Sequence, residues 1–369
     1  MVRTTPPFRA DHVGSLLRPA SLKEARSLHE RGAISDGDLR AVEDAAIEHA
    51  IERQAAVGLR SATDGEFRRA MWHFDFLEHL DGVESFRADH GIAFKGGIET
   101  QAKGLRVTGT VGFTSHPMIG HFEFLRAHTR ATPKMTIPSP SVLHFRGGRR
   151  AVSRDIYPDM EGFYRDLALA YRGAVQAFAD AGCRYLQLDE VNLAYLCDAG
   201  QRQLLSERGD DPERLPAVYA QMINTAIADR PADMTITMHL CRGNFRSSWI
   251  AQGGYEPVAE ILFNQIGVNA YFMEFDTERA GGFEPLRFVP KNKTVVLGLV
   301  TSKSGALESA DSLKRRIDDA ARYIALDQLC LSPQCGFAST HHGNRITPDI
   351  QRRKLELVVD VATEIWGGL

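Results

Sequence analysis

Short apolar or β-branched runs recur along the chain at residues 11–13, 59–63, 135–137, 185–188, 235–238, 268–273, 294–297 and 329–331. Between most of them the apolar positions change to helical spacing, most clearly over 35–57, 156–181, 212–228, 257–265, 307–324 and 348–365. Successive side chains of a strand point to opposite faces, whereas a helix repeats its face every three to four residues, so the switch in period separates the two element types. Two helix starts carry cap chemistry: Ser309 leads Ala310 and Asp311 into a charged first turn, and Thr347 precedes Pro348 at the first helical position. Eight strands alternating with helices predict an α/β fold, a (β/α)8 TIM barrel formed by residues 1–369 as one domain. An open doubly wound sheet is the alternative, and no Gly-x-Gly-x-x-Gly follows the first strand to support its dinucleotide-binding form. Two segments depart from the alternation. Residues 21–32 predict an N-terminal helical extension, and the glycine-flanked polar–apolar alternation within 92–120 predicts a β-hairpin excursion between strands 2 and 3, read as a packing flap.

Composition narrows the function classes. Apolar residues make up 43% and charged residues 25%, proportions that support a packed core. Lys+Arg number 44 against 47 Asp+Glu, and a net charge of −3 gives no basic stripe for nucleic acid. The apolar stretch 295–300 falls far short of the roughly 20 residues of a membrane helix. Residues 1–9 are Pro-rich with no apolar h-region, so no secretory signal is read there. Five cysteines, few and odd in number, do not form a disulfide framework. A cytoplasmic protein with reduced thiols is expected, and such thiols are available for thiolate chemistry or metal ligation.

In a barrel of this type chemistry gathers where strands end. The residues there are Val13-Gly14-Ser15, Asp64-Gly65-Glu66, Asp189-Glu190, His239-Leu240-Cys241, Glu274, Thr301-Ser302 and Pro333-Gln334-Cys335-Gly336. His239 and Cys241 lie two apart in an extended segment and so face one point. Imidazole and thiolate suit zinc, and Glu274 and Cys335 would come from other strand ends, at further separations of 33 and 61 residues. A satisfied histidine and inert buried cysteines are the alternative; Cys183, Cys197 and Cys330 read as structural. One of Asp189 and Glu190 is expected to face the site, where a carboxylate can hold a substrate ammonium; a helix N-cap is the competing role. Glu66 equally suits a capping interaction in a first turn. The basic stretch Arg146-Gly-Gly-Arg-Arg150 reads as a solvated loop, with contact to an anionic substrate group as its alternative.

Taken together the segments His12-Val-Gly-Ser15-Leu-Leu-Arg-Pro19, Asp64-Gly-Glu66, Leu186-Gln-Leu-Asp189-Glu190, Met238-His239-Leu-Cys241, Phe272-Met-Glu274 and Ser332-Pro-Gln-Cys335-Gly336 resemble the catalytic C-terminal barrel of cobalamin-independent methionine synthase, and more closely its short single-barrel members. The resemblance implies a catalytic zinc (Zn2+) held by His239, Cys241, Glu274 and Cys335. It also implies contacts to an amino-acid thiol from Val13, Gly14, Ser15, Glu66 and Asp189. Glu274 is read as the exchangeable ligand, a harder oxygen donor that yields to incoming sulfur. Three positions depart from the family: its folate-stacking tryptophan falls near Pro140, a folate-contacting glutamate at Tyr195, and a proton-donating histidine at Thr301. The expectation is a zinc-dependent methyltransferase acting on a homocysteine-like thiol. An alkyltransferase of the epoxyalkane:coenzyme M transferase type is the alternative, its acid supplied by Tyr195, His12 or His73, and a non-catalytic zinc barrel is a third. The expected partners are a small thiol and a methyl or alkyl donor, with no nucleic acid and no membrane; a homo-oligomer is left open.

Overall fold

The computed structural model describes residues 3–368. Six parallel strands form one sheet, in the spatial order Leu329–Pro333, Thr294–Val300, Ala270–Glu274, Thr235–Leu240, Tyr185–Glu190, Met135–Pro138. Every residue of Thr294–Val300 and of Tyr185–Glu190 is buried, which is why these strands read as apolar runs with little alternation. The crossovers include the helices Met160–Asp180, Leu215–Ala226, Ala259–Gln265 and Ala310–Ala320. Between Ala270–Glu274 and Thr294–Val300 the chain makes two short 3-10 turns instead, Glu278–Ala280 and Glu284–Phe288. Ser309 and Thr347 cap as expected, accepting from the backbone N–H of Ser312 and Ile350. Thr347 opens the last helix, Pro348–Trp366.

The first two expected strands are reduced. Residues 59–63 contribute only Ser61–Ala62, paired with Thr132–Pro133, and residues 11–13 are replaced by a single parallel bridge from Ala10 to Leu331. Side chains take over from the ladder here. The buried Asp11 carboxylate accepts from Ser61 Oγ at 3.1 Å, Tyr185 Oη at 2.8 Å and Lys134 Nζ at 3.4 Å. Thr63 Oγ1 donates to the Gly14 carbonyl at 2.7 Å, and Leu16 N–H to the Gly65 carbonyl at 3.0 Å. The regular ladder of the described residues therefore has six strands, and its two edges reach the same pair of irregular segments.

The N-terminal extension is the helix Ala20–Glu30, followed by Asp36–Val57. Ser35 caps the second helix reciprocally with Asp38, and Gly58 at φ 95° ends it. The excursion starts earlier than its sequence pattern suggested. Asp81–Arg87 pairs antiparallel with Lys103–Gly112, and a smaller pair, Ala93–Phe94 with Ile98–Glu99, lies between them. Residues 117–120, placed in the hairpin by the sequence, instead open the helix Pro117–His128, because His116 accepts from Met118 N–H and Pro117 occupies its first turn. No helix of the described residues is long and apolar enough to cross a membrane.

Candidate metal centre and thiol cleft

The strand Thr235–Leu240 carries His239 to its end, and Cys241 follows on the same side. Cys335 arrives two residues beyond the strand Leu329–Pro333. The ligand atoms of these three buried residues all lie within 4.8 Å of one another. The two Sγ atoms are 3.5 Å apart. His239 Nδ1 lies 3.3 Å from the Phe272 carbonyl, which can only accept, so Nδ1 carries the proton. Nε2 is then a buried lone pair with no protein partner. An unpartnered imidazole nitrogen beside two thiols fits a zinc ion, and two sulfurs on one tetrahedral ion at about 2.3 Å each stand at a similar separation. The thiols share their proton unequally. Hydrogen bonding from Cys241 holds Cys335 well below the ordinary thiol range, and the same contact together with burial pushes Cys241 well above it.

Glu274 stands next to this triad, fully buried at the end of Ala270–Glu274. Oε1 accepts from Cys241 Sγ at 3.8 Å, Gln334 Nε2 at 3.4 Å and Lys303 Nζ at 3.5 Å. Oε2 accepts from Arg242 N–H and from Arg279 Nη2, each at 3.3 Å. Burial opposes its charge, yet Lys303, Arg279 and Arg242 keep the carboxyl below its ordinary value. Sequence reasoning did not single out these three cations. Lys303, three residues past the end of Thr294–Val300 and buried against an acid, was the most legible of them.

Val13, Ser15, Glu66, Asp189, Tyr195, His239, Cys241 and Cys335 line one cleft of about 590 Å³. Asp189 accepts from Gln187 Nε2 at 2.7 Å, and burial, opposed by His239, pushes its carboxyl up to about 7. Its neighbour Glu190 turns away and takes the capping role. It accepts from the backbone N–H of Asn192 and Leu193 and from Ser141 Oγ. Glu66 does not cap: it sits at φ 59°, accepts from Thr136 Oγ1 at 3.0 Å and leaves Oε2 without a hydrogen bond. Burial raises its pKa against the pull of Arg69. Gly14 is not among the lining residues. Its φ is 145°, and a Cβ there would stand 2.9 Å from Thr136 Cγ2, so glycine lets the backbone pass. Gly336 has the same purpose, since a Cβ would overlap Ser15 Oγ at 1.9 Å.

The Tyr195 hydroxyl is buried without a partner at the cleft, and His73 lines it with both ring nitrogens unpartnered. His12 lies elsewhere, buried beside Lys134 and Asp11, so it is not among the cleft's acids. Neither Pro140, which precedes the helix Ser141–Gly147, nor Thr301, whose hydroxyl accepts from Lys303 N–H, is a lining residue. The basic stretch is helical rather than a loop: Arg146 is in Ser141–Gly147, and Arg149 and Arg150 are in the 3-10 turn Gly148–Ala151. Asn244, which the sequence reading passed over, also lines the cleft and donates to the Gly336 carbonyl at 2.7 Å.

Residues 8–364 match the family described as the cobalamin-independent synthase, catalytic domain. The uncharacterized protein YxjH of Bacillus subtilis is 51% identical over 98% of this chain and 95% of its own length. A methionine synthase of Pyrococcus abyssi is 24% identical over 88% of this chain and 84% of its own. A solved structure from Listeria monocytogenes, described as a candidate vitamin-B12-independent methionine synthase, is 42% identical. It superposes with a TM-score of 0.79 over 99% of this chain and all of that one.

Proposed function

The chain belongs to the cobalamin-independent synthase catalytic-domain family, a family of methyltransferases, and on that premise we propose that it is a zinc-dependent S-methyltransferase acting on a homocysteine-like thiol. The observation that carries the reading is the unpartnered His239 Nε2 beside the Cys241–Cys335 pair, in a cleft that also holds Asp189 and Glu66. His239, Cys241 and Cys335 would hold the ion, with Glu274 as the fourth, exchangeable ligand. When bound, zinc supplies the Lewis acidity that keeps a substrate sulfur deprotonated near neutral pH. Lys303, Arg279 and Arg242 hold Glu274 ionised, so it would offer a charged oxygen to the ion. Asp189 and Glu66 bind the substrate ammonium, and the segment Val13–Gly14–Ser15 encloses that end of the cleft. The thiolate attacks the donor's methyl carbon; the new S–C bond forms as the donor bond breaks, and the leaving atom keeps the electron pair.

Tyr195 would hydrogen-bond a leaving oxygen; burial raises its phenol above the ordinary value, so it does not replace the missing histidine as an acid for a leaving amine. A second reading, S-alkyl transfer of the epoxyalkane:coenzyme M type, is favoured by one observation. Pro140 and Thr301, where the family places its pterin platform and its acid, are not lining residues, while an unpartnered phenol is. In the same proposal residues 1–369 form one catalytic domain in a reducing compartment. Its (β/α)8 barrel is closed by the irregular segments around Ala10 and Ser61.

The test is single-turnover transfer by zinc-loaded protein, followed by mass spectrometry of the thioether. Homocysteine and coenzyme M serve as acceptors; methyl-tetrahydrofolate mono- and triglutamate, methylcobalamin and a small epoxide serve as donors. Methylation of homocysteine is expected, weakest with the folates, because Thr301 cannot protonate a leaving amine near pH 7. Product only from coenzyme M and the epoxide would establish the second reading. No thioether from any pair would overturn both.

A further inference from the structure

A second cavity, of about 930 Å³, lies under the antiparallel excursion and borders the thiol cleft, with His73, Ile92 and Arg146 lining both. Its walls are largely apolar, with Phe86 and Leu105 from the excursion facing Val142 and Leu143 of the helix Ser141–Gly147. Its charged lining residues are all cations: Lys103, Arg146 and Arg150. Lys103 is matched by Glu78 at 2.5 Å. Arg146 and Arg150 have no carboxylate within ion-pair distance among the described residues, and Arg146 Nε is buried without a hydrogen bond. Arg146 is half-buried, with the Tyr195 ring beside it at 5.7 Å, whereas the half-buried Arg68 and Arg208 are ion-paired; Arg150 is exposed at the rim.

His73 supplies an independent pointer. It is 1% exposed at the junction of the two cavities, and neither ring nitrogen has a protein partner. Burial, with Arg146 and Lys103 nearby, holds the ring neutral, so it presents one donor and one acceptor. Buried polar groups are ordinarily satisfied, and one left open at a cavity junction is available to a ligand.

We propose that the electrophilic substrate binds across this junction, its reactive carbon in the thiol cleft, its apolar body along Phe86, Leu105 and Val142, and an anionic end, carboxylate or sulfonate, on Arg146 and Arg150. The proposal deepens the thiol-transferase reading and rests on it. The thiol has its own polar anchors, Asp189 and Glu66, so the unpaired arginines select the second reactant. An excess of one charge sign in a low-dielectric cleft concentrates the opposite sign there.

The probes are hexane-1-sulfonate and its neutral counterpart hexane-1-sulfonamide, titrated calorimetrically into the full-length protein. Zinc content and homocysteine affinity are measured separately on the same samples. The sulfonate is expected to bind about tenfold or more tighter than the sulfonamide, the range set by charge-assisted hydrogen bonds. Arg146→Gln and Arg150→Gln should each reduce that preference, and Arg150→Gln, outside the thiol cleft, should leave zinc content and homocysteine affinity unchanged. The exposed Arg150 variant keeps the test decisive if Arg146→Gln unfolds the protein. Equal affinity for the two probes, or a preference that survives in the variants, would overturn the proposal. So would loss of homocysteine affinity in the folded Arg146 variant, which would assign the arginine to the thiol. Absence of zinc and of homocysteine binding in the unmodified protein, with the sulfonate preference intact, would overturn the thiol-transferase reading and leave an anion site.

Discussion

His239 can serve a metal through Nε2 because the Phe272 carbonyl fixes its other nitrogen as the donor. Cys241 and Cys335 complete the set at 3.5 Å from each other, so removing either sulfur leaves too few ligands for tight binding. Metal analysis of Cys335→Ser should show near-complete loss of an ion that the unmodified protein carries at about one per chain. Full zinc occupancy in that variant would refute the ligand assignment. Asp189 gives a second prediction at this scale. Burial raises its pKa to about 7, so in the thiol-free protein it is protonated below that pH and only its ionised form attracts an ammonium. Affinity for homocysteine, relative to the desamino analogue 4-mercaptobutyrate, should therefore fall as pH drops through about 7. Asp189→Asn should abolish that dependence and weaken homocysteine binding by roughly tenfold, in line with the contribution of hydrogen bonds to charged groups. An unchanged dissociation constant would indicate a thiol without an ammonium. The sequence singled out His239, Cys241, Cys335 and Asp189 because each ends or follows a strand. It passed over Lys303, Arg279 and Arg242, which only the fold brings against Glu274.

Among the elements, those that announce themselves by local chemistry were legible. Ser309 and Thr347 cap the helices the sequence assigned to them, since a side-chain acceptor answers backbone donors within the same four residues. Buried strands such as Thr294–Val300 were legible as apolar runs. The first two strands were not, because their segments are held by long-range side-chain contacts rather than by a continuous ladder. Asp11 is the centre of those contacts and pairs with Lys134, a lysine with no side-chain exposure. Asp11→Asn would leave that ammonium uncompensated, and losing one partner of a buried pair costs about 3–5 kcal/mol. Chemical denaturation should show a loss of that size, with the midpoint lowered. A change under 1 kcal/mol would mean that the Lys134 bond to the His12 carbonyl at 2.6 Å suffices by itself.

For the molecule as a whole, the candidate metal centre ties together strands that are far apart in the chain. His239 and Cys241 come from one strand end and Cys335 from another, 94 residues on. An ion bound only by the assembled arrangement stabilises the folded state by mass action, by about 4 kcal/mol at a thousandfold excess over its dissociation constant. Chelator treatment should lower Tm, and added zinc should restore it in a concentration-dependent way. The restoration should be absent in Cys241→Ser. A Tm indifferent to chelation would argue that the three side chains are structural.

The sequence by itself determined the α/β class, the positions of most helices and strands, and the residues that stand at strand ends, because periodicity and caps are set by neighbours within a few positions. It did not determine which of two adjacent acids faces the cleft. Asp189 does so while Glu190 caps a helix, an outcome decided by how the strand seats against Ser141 and Asn192. Nor did it show that Glu274 is held by three cations or that His12 does not line the cleft. It also gave no sign that Arg146 opens onto a second cavity beneath the excursion. These are contacts between segments tens to hundreds of residues apart, and only the packing of the whole chain brings such groups within reach of one another's charges and hydrogen bonds.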